Sequence, residues 1–259
     1  MKLSRRDALR AGGGLLAAGL AGCIEQRVTR RETRVETSTT WALNPGVGAE
    51  LDGAAFGDYV DSMSDRYGDS GVWGTESETP DTVDTAYVQR LALSRETPAD
   101  PGGSESSLNP DDVDPDAPLL YVDASVSVYE IGENRYRYWL WVAADAADDR
   151  LVRDIDLAML SANVELRDGT VADSAQFSRS DGEATVSLGG APSATFPLNE
   201  TTESLETNSD RSRNGAFSAE WGGSVDGVQS LNGVLEESRT GDHDFFWTVG
   251  AAYQFDENV

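Results

Sequence analysis

Apolar and polar residues alternate over most of the second half of the chain. Val122, Ala124, Val126 and Val128 alternate with Asp123, Ser125 and Ser127, the period-2 pattern of a strand with one buried face. Gly132-Glu133-Asn134 predicts a turn and Arg135–Ala144 a returning strand. That strand is apolar on both faces, with Tyr136, Tyr138, Leu140 and Val142 on one and Trp139, Trp141 and Ala143 on the other. Two-sided burial predicts a central position in its sheet. Asp154–Arg167 changes phase: Ile155, Leu157 and Met159 are odd, whereas Leu160, Ala162, Val164 and Leu166 are even. One extra residue in a strand exchanges its faces, so the slip predicts a bulge or a bend between sheets. Asp168-Gly169 and Asp181-Gly182 are hairpin-turn signals. Further strands are predicted near Ala172–Ser178, Ala184–Leu188, Ala216–Trp221 and Phe245–Phe255, with Asn199–Asn214 a polar, mobile loop.

The first half contains the one strong helical period. Phe56, Tyr59, Val60, Met63 and Tyr67 form a stripe between Asp52, a capping residue, and Gly68, a terminating one. This stripe reads as core packing. Val28–Val35, continuing toward Trp41, and Thr85–Arg95 read as strands. Thr97–Pro118 holds five of the nine prolines among Gly and Ser and reads as a loop or linker. The expected organisation is a leader over 1–22, a strand-helix-strand part over 23–96, an acidic linker over 97–118 and a β-sandwich over 119–259. The expected fold is mainly β, a sandwich of the immunoglobulin-like or jelly-roll-like kind with one short N-terminal helix. No internal repeat is present.

Charge changes the picture more than hydropathy does. The 259 residues are 39% hydrophobic, enough for a folded core, yet the formal net charge is −26. Binding to a phosphate backbone requires clustered cations, so nucleic acid is excluded as a partner. Lys2 is the only lysine, and every other basic residue is arginine. Lysine loss with carboxylate gain resembles the proteins of salt-loving archaea. At molar salt the Debye length is about 3 Å, self-repulsion is screened, and a carboxylate surface keeps the protein soluble.

The N-terminus carries the most specific motifs. Ser4-Arg5-Arg6-Asp7-Ala8-Leu9-Arg10 resembles the twin-arginine export motif, with Arg5 and Arg6 as the pair and Ala8 departing from the usual phenylalanine. Ala11–Leu20 is apolar and too short to span a bilayer, which takes about 20 residues as helix. Leu20-Ala21-Gly22-Cys23 resembles a lipobox and contains the only cysteine. The resemblance implies cleavage before Cys23, lipidation of Cys23 and anchoring on the extracytoplasmic face of the cell membrane. It covers residues 1–23; the body resembles that class by composition alone. Arg27, Arg30, Arg31 and Arg34 could meet acidic head groups, although Glu25, Glu32 and Glu36 nearly cancel them and a charged edge strand is the better reading.

The remaining chemistry is narrowed by missing residue types. One histidine and one cysteine cannot build a blue-copper or an ordinary zinc site. A Ser-His-Asp triad would have to use His243, with no Gly-x-Ser-x-Gly elbow to support it; His243 reads as a turn or surface residue before the last strand. Asp112, Asp114 and Asp116 alternate like the start of a calcium loop, with Asp123 at the twelfth place. Ala117 stands where that loop needs glycine, and Pro110, Pro115 and Pro118 oppose flanking helices. Trp139 and Trp141, with Trp73, Trp221 and Trp247 elsewhere, suit either a sheet core or a sugar-binding face. Asn199-Glu200-Thr201 is an N-glycosylation acceptor sequence. No cofactor is implied. The expected function is non-enzymatic: a lipid-anchored binding or scaffolding module with a protein or glycan partner at the cell surface. The alternatives are a carboxylate-pair hydrolase and the solute-binding lipoprotein of a transporter, which would need two α/β lobes.

Overall fold

The computed structural model describes residues 30–46, 50–68, 82–93, 120–146, 155–188 and 193–258. Fourteen strands and one helix are named in these residues. In chain order they are β1 (Arg30–Leu43), β2 (Glu50–Leu51), α1 (Gly53–Tyr67), β3 (Thr85–Leu93), β4 (Leu120–Gly132), β5 (Arg135–Asp145), β6 (Ile155–Leu166) and β7 (Thr170–Ser174). They continue as β8 (Gln176–Ser180), β9 (Glu183–Ser187), β10 (Ser193–Pro197), β11 (Ser204–Asp210), β12 (Ala216–Val225), β13 (Val228–Ser238) and β14 (Phe245–Asn258).

The fold is a mainly β sandwich. A five-stranded antiparallel sheet, β1-β14-β6-β12-β11, shares one core with a six-stranded sheet, β2-β3-β4-β5-β13-β7, and β10-β9-β8 forms a third, smaller sheet. The two large sheets approach closely at Gly233, where an added Cβ would lie 2.9 Å from the Phe217 ring. Strands from both sides of the 97–118 segment enter the same sheets. β1 pairs with β14 in unbroken register from Arg30↔Asn258 to Leu43↔Phe245, and Trp41 meets Trp247 at 5.2 Å.

The helix forms as its pattern predicts. Asp52 Oδ1 accepts from the Ala55 N–H at 2.9 Å, and Gly68, at φ +86°, ends the helix with its N–H on Ser64 O at 2.8 Å. Phe56, Val60, Met63 and Tyr67 are buried. α1 covers the side of β5 that carries Trp141 and Ala143, so β5 is buried on both faces, as its sequence requires.

The phase slip in β6 is a bulge at Ala158. Met159 pairs with Gly222 and Ala252, whereas Leu157 pairs with Val225 and Tyr253, and Ala158 is skipped on both sides. Ala158, Met159 and Ala252 form a separate apolar cluster. Asp181-Gly182 makes the expected hairpin, with Ser180 opposite Glu183.

Four expectations are corrected. Asp168-Gly169 is not a hairpin: β6 lies in the five-stranded sheet and β7 in the six-stranded one, so these residues turn the chain between sheets. The strand expected over Ala172–Ser178 is two strands in different sheets, broken at buried Ala175, whose N–H donates to Val234 O at 3.0 Å. The Asn199–Asn214 loop contains β11, an edge strand paired to β12. Its outer residues face solvent, so it needs no apolar alternation to form. Finally, β10 and β13 were not anticipated. The β13 sequence VQSLNGVLEES reads as polar, yet every residue from Gln229 to Glu237 is buried.

Candidate functional site

Two chain crossings meet at one end of the sandwich: the Arg167–Gly169 corner and the 239–244 connection from β13 to β14. Between them lies Glu237 of β13, 0% exposed. The Tyr138 hydroxyl on β5 donates to Glu237 Oε2. Arg239 Nη1 lies 3.4 Å from Glu237 Oε1 and donates to Asp244 O at 3.0 Å. Burial pushes the Glu237 carboxyl up to about 7; the Tyr138 hydrogen bond and Arg239 pull it down, and Asp244 adds to the rise. Burial, with the charge of Glu237, raises the Tyr138 phenol as well.

The same connection carries His243, 3% exposed. Its Nε2 lies 2.8 Å from the Tyr87 hydroxyl on β3. Burial lowers the imidazole below its ordinary value, opposed by Asp84 and Glu50. Phe245 packs edge-on to Tyr138 at 5.0 Å and to Tyr87 at 6.2 Å, linking the two clusters. Tyr136 donates to Gly241 O at 3.1 Å, and the Arg167 N–H to Asp244 O at 2.9 Å.

The expected surface position of His243 is therefore corrected: it sits in the connection before β14 but inside the protein. Among the described residues its Nε2 bonds a phenol rather than a serine hydroxyl, so the geometry for nucleophile activation is missing there. A carboxyl titrating near neutrality and a neutral imidazole are the residue types of acid–base chemistry. Both are closed to solvent, so what this arrangement can do is take up and release a proton within the fold.

The fit at Glu237 is tight. A Cβ on Gly169 would lie 1.7 Å from Glu237 Oε1, which explains glycine at this corner. Gly169→Ala is expected to destabilise by about 2 kcal/mol through overpacking. Most of that loss should return when Glu237 is also made alanine. Urea midpoints of the four members of the cycle test this, and additive losses would contradict it.

A second polar cluster lies under α1. Asp123 of β4, 2% exposed, accepts from Arg66 Nη1 at 2.7 Å, from Tyr67 Oη at 2.7 Å and from Arg90 Nη2 at 3.2 Å. Burial raises its proton affinity, with the Tyr67 hydroxyl and Arg66 opposing. The helix end, β3 and β4 are thus tied through one carboxylate. Asp123 is also the twelfth residue of the calcium-like pattern, and its oxygens are committed to these donors. Asp112, Asp114 and Asp116 lie outside the described residues, as do Arg5, Arg6, Cys23 and Trp73.

Trp139, Trp141, Trp221 and Trp247 are all buried, so these indoles are core and form no sugar platform. Asn199 is exposed. Its Oδ1 accepts from the Thr201 N–H at 3.2 Å and the Thr201 hydroxyl at 3.0 Å, and its own N–H donates to Gln229 Oε1 at 3.2 Å. Nothing in the sequence marked Glu237 or paired it with Tyr138, and Asp123 stood out only as the twelfth place of the calcium-like pattern. Asp123 falls on the polar phase of an alternating strand, and only the helix laid across that face buries it. Compared with known proteins, the chain matches no family model, no curated protein and no solved structure.

Proposed function

We propose that the chain is an exported, lipid-anchored surface protein of a salt-loving archaeon that works as a binding or scaffolding module. The observation that carries this reading is Leu20-Ala21-Gly22-Cys23, with the only cysteine of the chain, placed just ahead of the first strand at Arg30. The paired Arg5 and Arg6 and the near absence of lysine support it. From Cys23 to Arg30 an extended chain reaches at most about 25 Å, so the sandwich would stand close to the head groups. One acyl chain binds a membrane weakly and two bind firmly. A non-enzymatic role is supported by the burial of Glu237 and His243, which no substrate touches without opening the fold. The partner on this reading is a protein or glycan at the cell surface, and exposed Asn199 is a glycosylation acceptor.

The test is Cys23→Ser expressed in a haloarchaeal host at molar salt. The unsubstituted protein is expected in the membrane fraction with a mass raised by lipid. The variant is expected without that mass and outside the membrane fraction. A variant that remains membrane-bound with the same mass would refute the anchor.

A further inference from the structure

We propose that the free edge of β1 pairs with β1 of a second copy of this chain, antiparallel about a two-fold axis at Thr33. Two five-stranded sheets then join into one of ten. β1 ends its sheet, with β14 on one side and no described strand on the other. It is fourteen residues long and matches β14 in unbroken register, with no bulge and no proline. The strands at the other ends of the two large sheets are short: seven residues in β11, five in β7 and two in β2. A long, regular edge offers a row of backbone N–H and C=O groups to another strand, and proteins normally blunt it.

Charge is a usual blunting device, but on β1 its order selects a partner. By strand alternation Arg30, Glu32, Arg34 and Glu36 share one face, and their signs alternate. β14 answers none of them. In register, Arg30 is opposite Asn258, Arg34 opposite Gln254 and Glu36 opposite Ala252. Glu32 is opposite Asp256, a like charge and so an unfavourable pair. The Arg34 and Glu36 side chains are 52% and 60% exposed, with 3.7 Å between their charged groups. An antiparallel copy centred on Thr33 supplies an opposite charge to all four positions. Arg30 falls opposite Glu36 and Glu32 opposite Arg34, each twice by symmetry. Moving the axis one residue, to Glu32 or Arg34, sets like charges opposite one another, which is unfavourable. A strand from another protein matches this order only by chance, so the pattern favours a second copy.

The medium permits the pairing. Two chains of net charge −26 repel at low salt. Molar salt screens that repulsion beyond about 3 Å, which leaves the backbone ladder and the charges directly across it to decide the contact. Thr39, Trp41 and Leu43 of β1 are already buried within their own sandwich, so pairing uses the edge and leaves the core as it is. One consequence rests on the anchoring reading above: the pair would carry two lipidated Cys23 residues, and two anchors hold a membrane firmly where one holds weakly.

Sedimentation equilibrium at molar salt tests the pairing on the full chain carrying Cys23→Ser, in which lipid cannot join the copies. The expected mass is twice that of one chain. Arg34→Glu, at an exposed position, should keep the far-UV spectrum and weaken association about tenfold, because two opposite-charge pairs become like-charge pairs. Adding Glu32→Arg to that variant restores the opposite charges and should restore the affinity. Thr33→Cys, in a chain then free of other cysteines, should oxidise to a covalent dimer, since directly opposite residues of an antiparallel pair lie about 4.5–5.5 Å apart at Cα. Ser38→Cys, away from the axis, should not. A monomer at molar salt would overturn the proposal, as would Arg34→Glu associating as tightly as its parent or cross-linking equally well through Ser38→Cys. These readouts stand apart from the anchor, which is tested by fractionation of the chain with Cys23 intact.

Discussion

Asp123→Ala is expected to lose about 3–5 kcal/mol of stability, the range for removing one partner of a buried ion pair. The loss would not be shared equally among the partners left behind. The Arg66 side chain is 40% exposed and can turn to solvent, whereas Arg90 is 16% exposed and has nowhere comparable to go. Tyr67 would lose the acceptor of its hydroxyl in a buried position. Arg66→Gln should therefore cost only about 1 kcal/mol, as exposed pairs do, and Arg90→Gln clearly more. Replacing the pair together, Asp123→Asn with Arg90→Met, should recover much of the loss, because desolvation of both charges disappears with them. Urea unfolding at constant molar salt provides the numbers. A loss below about 1 kcal/mol for Asp123→Ala would show that the cluster is solvated and does not tie α1 to the sheet.

The second large effect is expected on dilution of salt. The chain has a formal charge of −26, and the five-stranded sheet places like charges together. Glu206 on β11 lies directly opposite Glu220 on β12, and both are exposed. Such a cross-strand pair is destabilising, and at molar salt it is screened within about 3 Å. At 10 mM salt the Debye length is about 30 Å and carboxylates repel across a whole sheet. The surface pairs Arg211–Asp173 and Arg213–Asp168 strengthen on dilution, but each exposed pair contributes at most about 1 kcal/mol. Repulsion wins. Far-UV circular dichroism and tryptophan emission should report cooperative unfolding between molar and millimolar salt, the latter because Trp141, Trp221 and Trp247 leave the core. Glu220→Gln should move the midpoint to lower salt. Spectra unchanged down to millimolar salt would show that the carboxylates serve another purpose.

Both expectations mark how far a linear reading reaches. Local rules were enough for α1, because its capping residues and apolar stripe lie within seventeen consecutive positions, Asp52 to Gly68. They were enough for the Asp181-Gly182 hairpin, whose strands are adjacent in sequence, and for the existence of a break in β6, where the change of apolar phase called for a bulge or a bend and the strand register makes it a bulge at Ala158. They failed at Asp168-Gly169, which carries the same dipeptide signal as a hairpin. What selects a crossing there is the pairing of β7 with β13, more than sixty residues away. They failed again at β13, whose polar residues fit a buried strand only because neighbours satisfy them. Gln229 bonds the Pro197 carbonyl and the Asn199 N–H, and Glu237 bonds Tyr138.

By itself, then, the sequence determined the class of the fold and the helix over Gly53–Tyr67, since period and capping are local properties. Tertiary structure alone decided which polar residues lie inside. Asp123 is covered by a helix that precedes it by more than fifty residues, His243 is buried against Tyr87, and the Glu237 carboxyl is enclosed where two crossings meet. Burial sets proton affinity, and burial depends on what packs against a side chain from distant parts of the chain.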